Sequence, residues 1–396
     1  MPLKPSLRAQ AVEPFLAMEF GKRAAELEAR GHRVIRLNLG EPDFGAPPSV
    51  VRAMHRALDE QRTAYTAALG IPALREAIAR HYAVHGAQVD ARRVVVTAGA
   101  SAALLLLTMA LVNEGDEVLV GDPSYPCNRQ FLAGSGARVR LVPTDAASRF
   151  QLDADSVARN WSPATRGLLV ATPSNPTGTS IALTELAAIC AHAARHDAWR
   201  IVDEIYLGLQ DGDATHPRAR SVLAVDPEAI VVNSFSKYFG MTGWRLGWCV
   251  VPPELVGPVE RLAQNFYICA SAPAQHAAVS CFDAESIAVC DQRREQFARR
   301  RGLVLRGLSA IGLDVPVPPD GAFYVYIDVR STGMDAMRFC ERALEEAHVA
   351  LTPGRDFGSR GADAYVRLSY SASEGDLAEA IERLGTLVAR RRNAAA

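Results

Sequence analysis

A chain of 396 residues exceeds what one ordinary core accommodates and points to about two or three domains. Apolar residues make up 49% and charged residues 22%, as in soluble globular proteins, and a formal net charge of −1 gives no reason to expect nucleic acid or an anionic membrane as partner. Seven cysteines, an odd number at irregular spacing, suggest neither a disulfide framework nor a metal cluster, so no metal is expected and the thiols read as reduced and buried in a cytoplasmic protein. Residues 1–6 lack the apolar core of a signal peptide. The longest apolar run, 102–112, is interrupted by Thr108 and is too short to span a bilayer.

Residues 15–31 have the spacing of an amphipathic helix, with Phe15, Met18, Ala25 and Leu27 among its apolar positions and Gly31 as its stop. A short strand follows and opens into the turn Gly40-Glu41-Pro42-Asp43, where Gly40 lets a ligand approach the backbone closely. Tyr65 reads by itself as a half-buried packing residue, and Pro72 opens a helical run over 73–85. From Arg93 the period changes. Short β-branched runs at 94–97, 117–121, 139–143, 167–172, 199–203, 230–234 and 247–251 alternate with helical stretches. That is the pattern of an α/β sheet with helices on both faces, and no internal repeat or low-complexity tract interrupts it.

Such sheets bind ligands at the loops leaving the C-terminal ends of their strands. Gly99, Ala100 and Ser101 stand in one of these loops, where a helix start leaves backbone N–H groups free for a phosphate, or simply makes a tight turn. Tyr125 is a turn aromatic on the surface or a ring placed for stacking. Ser174-Asn175-Pro176-Thr177-Gly178 is a strong turn signal. Asp203 ends a buried strand, either as a helix cap or as the partner of a protonated ring nitrogen, with Tyr206 three residues on.

The densest chemistry lies at 231–247. Ser234 and Ser236 bracket Phe235, Lys237 follows at once, and Arg245 sits between Trp244 and Leu246. Two hydroxyls and a guanidinium are good donors for a phosphate, and a lysine among apolar neighbours can form a Schiff base with a carbonyl. Phosphate, aldehyde and lysine together suggest pyridoxal phosphate. The plain alternative is a strand-to-helix turn with an exposed lysine. After Pro252 the sheet gives out. A basic helix over 284–310 reads as a solvated face. A strand at 322–329, a helix at 335–347, a strand at 364–370 and a terminal helix near 378–391 form a smaller α+β unit. The expected division is 46–283 for a large domain and 1–45 with 284–396 for a small one. Arg367 is the one cation in Tyr365-Val366-Arg367-Leu368-Ser369, and by alternation alone it faces solvent.

Ser234-Phe235-Ser236-Lys237 with Arg245 resembles the lysine segment of the class I/II aminotransferases, the fold-type I pyridoxal-phosphate enzymes. The resemblance extends over nearly the whole chain, through Leu37-Asn38-Leu39-Gly40-Glu41-Pro42-Asp43-Phe44, Asn175-Pro176-Thr177-Gly178, Asp203 with Tyr206, and Val366-Arg367-Leu368-Ser369. It implies a three-layer αβα large domain around a mostly parallel seven-stranded sheet, a smaller α+β domain, a homodimer, and transfer of an amino group from an L-amino acid to a 2-oxo acid. Lys237 is then expected to hold the cofactor as an internal aldimine and to move the α-proton as acid and base. The resemblance gives Asp203 to the pyridinium nitrogen, Tyr206 and Asn175 to the phenolic oxygen, and Tyr125 to the ring face. It gives Gly99, Ala100, Ser101, Ser234, Ser236, Arg245 and the partner's Tyr65 to the phosphate. Gly40, Asn175 and Arg367 are expected at the substrate carboxylate, and the Asn175–Pro176 bond is expected to be cis.

Three other readings compete. A β-lyase or carbon–sulfur lyase on the same fold shares nearly all of these residues. A cofactor-binding transcription regulator needs a DNA-binding domain, for which the roughly 45 residues ahead of the sheet leave little room. A nucleotide-dependent α/β enzyme needs a Gly-x-x-x-x-Gly-Lys-Ser/Thr loop or a Gly-x-Gly-x-x-Gly fingerprint, and neither occurs. Ser101 stands where some aspartate-using relatives carry a lysine, and no counterpart of a side-chain-binding arginine is evident. Neutral or aromatic donors are therefore favoured slightly, with aspartate open.

Overall fold

The computed structural model describes residues 3–212, 216 and 218–395; the first two residues of the N-terminal segment lie outside the described residues. After helices Leu7–Ala11 and Leu16–Ala29 comes the first strand, β1 (Ile35–Arg36), too short to hold a sheet alone. The seven β-branched runs become β2 (Val94–Thr97), β3 (Glu117–Asp122), β4 (Arg138–Pro143), β5 (Thr165–Ala171), β6 (Trp199–Asp203), β7 (Ile230–Ser234) and β8 (Gly247–Val250). They form one sheet in the order β2-β8-β7-β6-β5-β3-β4. Every pairing is parallel except the two made by β8, which runs antiparallel to β2 and β7.

Alternation along the strands explains the three layers. Val94 and Val96 face one core and Val95 the other; Val231 and Val232 divide the same way. Helices Ala100–Leu111 and Pro253–Phe266 cover one face, while Pro72–His81 and Leu183–Arg195 lie on the other. At one edge, β4 alternates exposed and half-buried residues over 138–141 and carries Arg138 and Arg140, charges that discourage further strand pairing.

Beyond Pro252 a second sheet forms from β9 (Tyr324–Asp328), β11 (Thr352–Pro353) and β12 (Tyr365–Ser369), antiparallel in the order β11-β12-β9. The intervening β10 (Val349–Ala350) pairs in parallel with β1, tying the N-terminal segment to this part of the molecule. Helices Ala284–Ala310, Ala336–Ala347 and Glu374–Ala395 pack around it.

Several expectations are corrected. The helix expected at 15–31 is Leu16–Ala29, and it buries Ala17, Phe20, Gly21 and Ala24, the i, i+3, i+4, i+7 stripe, whereas Ala25 is exposed. The run at 73–85 leaves α geometry after His81 and ends as a 3-10 turn, Tyr82–His85, closed by Gly86. Helix Pro48–Asp59, unforeseen, buries Val50, Ala53 and Ala57. Helix Ala284–Ala310 is not a solvated basic face throughout. Arg300 is 6% exposed and grips Asp43 with two bonds of 2.8 Å, because its position faces the loop after β1.

Candidate active site

The turn after β7 owes its shape to Phe235. That ring is fully buried, 4.8 Å from the Trp248 ring and 5.4 Å from the Phe239 ring. With Phe235 turned into the core, Ser234 and Ser236 face the cavity, their hydroxyl oxygens 2.8 Å apart, and the Ser236 N–H donates to Ser234 Oγ at 3.0 Å. Lys237 follows, half-buried, and its Nζ donates to the Gly40 carbonyl at 2.6 Å. Burial lowers the Lys237 ammonium to about 8, with Glu41 opposing that shift.

On the neighbouring strand β6, Asp203 is buried and accepts the Ile205 N–H at 3.1 Å. Burial raises its carboxyl to about 6, and that hydrogen bond and Lys237 only partly oppose the shift. A cradle forms where β2 meets helix Ala100–Leu111. Gly99 has φ +90°, and a Cβ there would lie 2.7 Å from Arg245 Nη2, so only glycine lets the guanidinium approach the helix start. Arg245 is exposed and donates to the Thr242 carbonyl at 2.8 Å, so its charge needs no buried partner within the chain.

Arg367 is not solvent-facing as simple alternation suggests. It is 1% exposed, because β12 is the central strand of its sheet and is covered on both faces. Its guanidinium lies 4.7 Å from both the Tyr324 and the Phe357 ring centroids. A desolvated cation over an aromatic face gains about 2 kcal/mol. Nη1 donates to Asn175 Oδ1 at 2.8 Å and Nη2 to the Asn38 carbonyl, while Nε has no hydrogen-bond partner among the described residues.

These groups share one cavity of about 420 Å³. Gly40, Ala100, Ser101, Tyr125, Asn175, Asp203, Tyr206, Ser234, Ser236, Lys237, Arg245 and Arg367 all line it. Gly99 stands behind the Arg245 guanidinium, and Tyr65, 80% exposed, lies outside the cavity of its own chain. Among the described residues the cis bonds are Asp122–Pro123 and Thr172–Pro173, not Asn175–Pro176. Asn175 stands within a turn closed by the Ser174 N–H to Thr179 O and Gly178 N–H to Ser174 O hydrogen bonds.

The cavity also holds residues that sequence reasoning missed. Tyr324 places its hydroxyl 2.7 Å from that of Tyr206. Glu41 accepts from Thr242 at the mouth. Phe15, Ala17, Met18 and Leu39 form an apolar wall, held in place where the Leu16 and Ala17 N–H groups donate to the Asp356 carboxylate at 2.9 and 3.1 Å. The off-stripe apolar residues Phe15 and Met18 were a signal for that wall; Tyr324, in a strand of buried aromatics, had none.

Among the described residues no group of three or more His, Cys, Asp or Glu could hold a metal, and no helix is long and apolar enough to cross a membrane. The donor set fits a phosphorylated aldehyde: hydroxyls, a guanidinium and a helix start suit the phosphate, a buried carboxyl and an aromatic suit a ring, and an amine suits the carbonyl.

Comparison with known proteins agrees with this chemistry. The family profile described as "Aminotransferase class I and II" matches residues 32–384. A valine–pyruvate aminotransferase of Mycobacterium tuberculosis is 42% identical over 96% of this chain and 97% of its own length. An aspartate/prephenate aminotransferase of Thermus thermophilus is 37% identical over 97% of this chain and 99% of its own. The crystal structure of an aminotransferase from Mycobacterium tuberculosis superposes with a TM-score of 0.94 at 40% identity, covering 98% of this chain and 100% of that one.

Proposed function

The chain belongs to the class I and II aminotransferases, which depend on pyridoxal phosphate, and from that premise we propose that it takes the amino group of a neutral or aromatic L-amino acid and passes it to a 2-oxo acid, with Lys237 holding the cofactor and Arg367 the substrate carboxylate. One observation carries the proposal. A fully buried guanidinium clamped between two aromatic faces keeps an unpartnered Nε, in the same cavity as a lysine whose ammonium burial has weakened. A planar fork held this way grips a carboxylate in two places.

When bound, the cofactor supplies the carbonyl that receives the amino group and the electron sink that makes the α-proton removable. The residues of the chain do the rest. Ser101, Ser234, Ser236, Arg245 and the backbone at Gly99 and Ala100 would hold the phosphate, Tyr125 the ring face, and Asp203 the ring nitrogen. Asn175 uses Oδ1 on Arg367, and its Nδ2, together with Tyr206, would donate to the phenolic oxygen. Because burial brings the Lys237 ammonium down to about 8, the amine is neutral often enough at physiological pH to accept the α-proton at Nζ, hold it and give it back.

The preference for uncharged donors rests on the wall of Phe15, Ala17, Met18, Leu39 and Leu104. Among the described residues lining the cavity, the cations are Lys237, Arg245 and Arg367, each already assigned, which leaves none for a second carboxylate. The valine–pyruvate relative fits this preference, and the aspartate/prephenate relative keeps aspartate in the comparison. Both act as transaminases by name, which favours transamination over the β-lyase alternative.

We propose further that the molecule divides into 46–283 and 1–45 with 284–396, a reading supported by the β1–β10 pairing. A homodimer in which Tyr65 reaches the partner's phosphate site is supported by Tyr65's exposure and by exposed Leu105, Met109, Phe266 and Ile268. A cytoplasmic setting suits seven cysteines that are all unpaired. A panel of amino donors with pyruvate, 2-oxoglutarate and oxaloacetate tests the main proposal. Aspartate turning over fastest would refute the donor preference, and release of pyruvate and ammonia without an acceptor would establish the lyase.

A further inference from the structure

We infer that Tyr324 is a positioning residue of this site, whose hydroxyl turns the Tyr206 proton toward the cavity and whose ring supports the Arg367 guanidinium. The inference rests on the roles proposed above for Tyr206 and Arg367.

The placement follows from strand register. In the β12–β9 pair, Arg367 stands opposite Tyr326 and Ser369 opposite Tyr324. Opposite residues share a face, and diagonal neighbours are within reach of long side chains, so Tyr324 and Arg367 meet with the guanidinium 4.7 Å from the ring centroid. The far end of the same ring crosses to the large sheet, where its hydroxyl oxygen is 2.7 Å from that of Tyr206. It has little freedom to turn away, since a Cβ on Gly40 would come within 2.1 Å of the Tyr324 hydroxyl.

Each phenol has one proton to donate. If Tyr206 donated to Tyr324, that proton would be used inside the wall, and nothing would be offered to a phenolic oxygen in the cavity. With Tyr324 as donor, Tyr206 accepts on a lone pair and its own proton is free to point inward. The 2.7 Å contact accommodates either direction, and the role proposed above for Tyr206 selects the second arrangement, in which Tyr324 spends its proton on its hydrogen-bond partner Tyr206 Oη. One side chain thereby joins the carboxylate clamp to the donor at the cofactor oxygen.

The test uses Tyr324→Phe, Tyr206→Phe, the double variant and Tyr324→Leu as cofactor-loaded proteins. The pH midpoint of the visible absorbance is followed without substrate, and kcat and KM are then measured with one donor. A hydrogen bond donated to the phenolic oxygen drains its negative charge and favours loss of the neighbouring proton. Tyr324→Phe should therefore move the midpoint upward by about half to one pH unit. Tyr206→Phe should move it further, and the double variant no further than Tyr206→Phe alone. KM should change by less than about twofold in Tyr324→Phe, which keeps the ring beneath Arg367, and rise severalfold in Tyr324→Leu. An unmoved midpoint in Tyr324→Phe, or shifts that add in the double variant, would overturn the inference. Failure of the underlying reading looks different: the wild-type protein would lack a pH-dependent visible band, or Lys237→Ala would keep it.

Discussion

Asp203 and Lys237 titrate in opposite senses because burial acts on opposite charges. The Asp203 carboxyl moves from 3.8 to about 6, so in cofactor-free protein the folded state holds a proton that the unfolded chain has released between those values. Its stabilising contribution is complete below about pH 4 and is lost as pH rises through 6, a fall of about 2–3 kcal/mol at about 1.4 kcal/mol per pH unit. The stability of wild type relative to Asp203→Asn, measured by denaturant unfolding without cofactor, should fall by that amount from pH 4 to 7. A constant difference would mean that the carboxyl is not raised. Lys237 contributes the other way, gaining stability as pH rises from about 8 through 10.5. Arg367 is tested by activity instead. Arg367→Ala should lower kcat/KM for aromatic, aliphatic and acidic donors alike, by some thirtyfold to several thousandfold, since truncating a buried charge-assisted contact costs about 2–5 kcal/mol. Arg367→Lys should recover only part, because a point charge cannot replace the fork. A loss confined to the acidic donor would assign Arg367 to a side-chain carboxylate.

The turn joining β2 to helix Ala100–Leu111 is where backbone conformation and electrostatics meet. An alanine at Gly99 would need a left-handed φ of +90° and would push against the Arg245 guanidinium. Strain of about 1–3 kcal/mol predicts cofactor binding weaker by roughly fivefold to over a hundredfold in Gly99→Ala, read from an absorbance titration. Wild-type affinity would show that this helix start is not the phosphate cup. Elements of this kind were legible in sequence because each is local. Strands covered on both faces appear as unbroken β-branched runs, and the glycines, serines and lysine follow at their ends. What was not legible depends on contacts distant in sequence. Arg300 meets Asp43 across 257 positions, so a helix of many arginines gave no sign of which one turns inward. Phe323, Tyr324, Val325 and Tyr326 are all buried, so alternation no longer separates the site-facing tyrosine from its neighbours. The cis bond lies at Thr172–Pro173 and not at Asn175–Pro176, a choice between two prolines in one turn that composition cannot make.

At the scale of the whole molecule, the two sheets are clasped at several places, of which Tyr206–Tyr324 and Asn175–Arg367 lie in the cavity and another lies at the end of β3. Asp122, at the end of β3, accepts the Ser359 N–H at 3.1 Å and the Ser359 hydroxyl at 2.9 Å, and the Ser124 N–H donates to Phe357 O at 2.8 Å. A single chain therefore brings nearly every candidate group together, and the exception is Tyr65. Its exposed ring lies outside the cavity that Lys237 lines, so the assigned role requires a second subunit related by a two-fold axis. Subunit mixing tests this directly. Tyr65→Ala homodimers should load cofactor poorly and turn over slowly, and Lys237→Ala homodimers should be inactive. When the two variants are unfolded together and refolded in equal amounts, about half of the dimers are mixed. In each mixed dimer one site pairs an intact Lys237 with the partner's Tyr65, and the other site carries both lesions. Activity should therefore recover to about one quarter of wild type, above the sum of the separate variants. If Tyr65 served the site of its own chain, every site in the mixture would carry one lesion and no recovery would occur. A monomer by sedimentation with full activity would remove the role altogether.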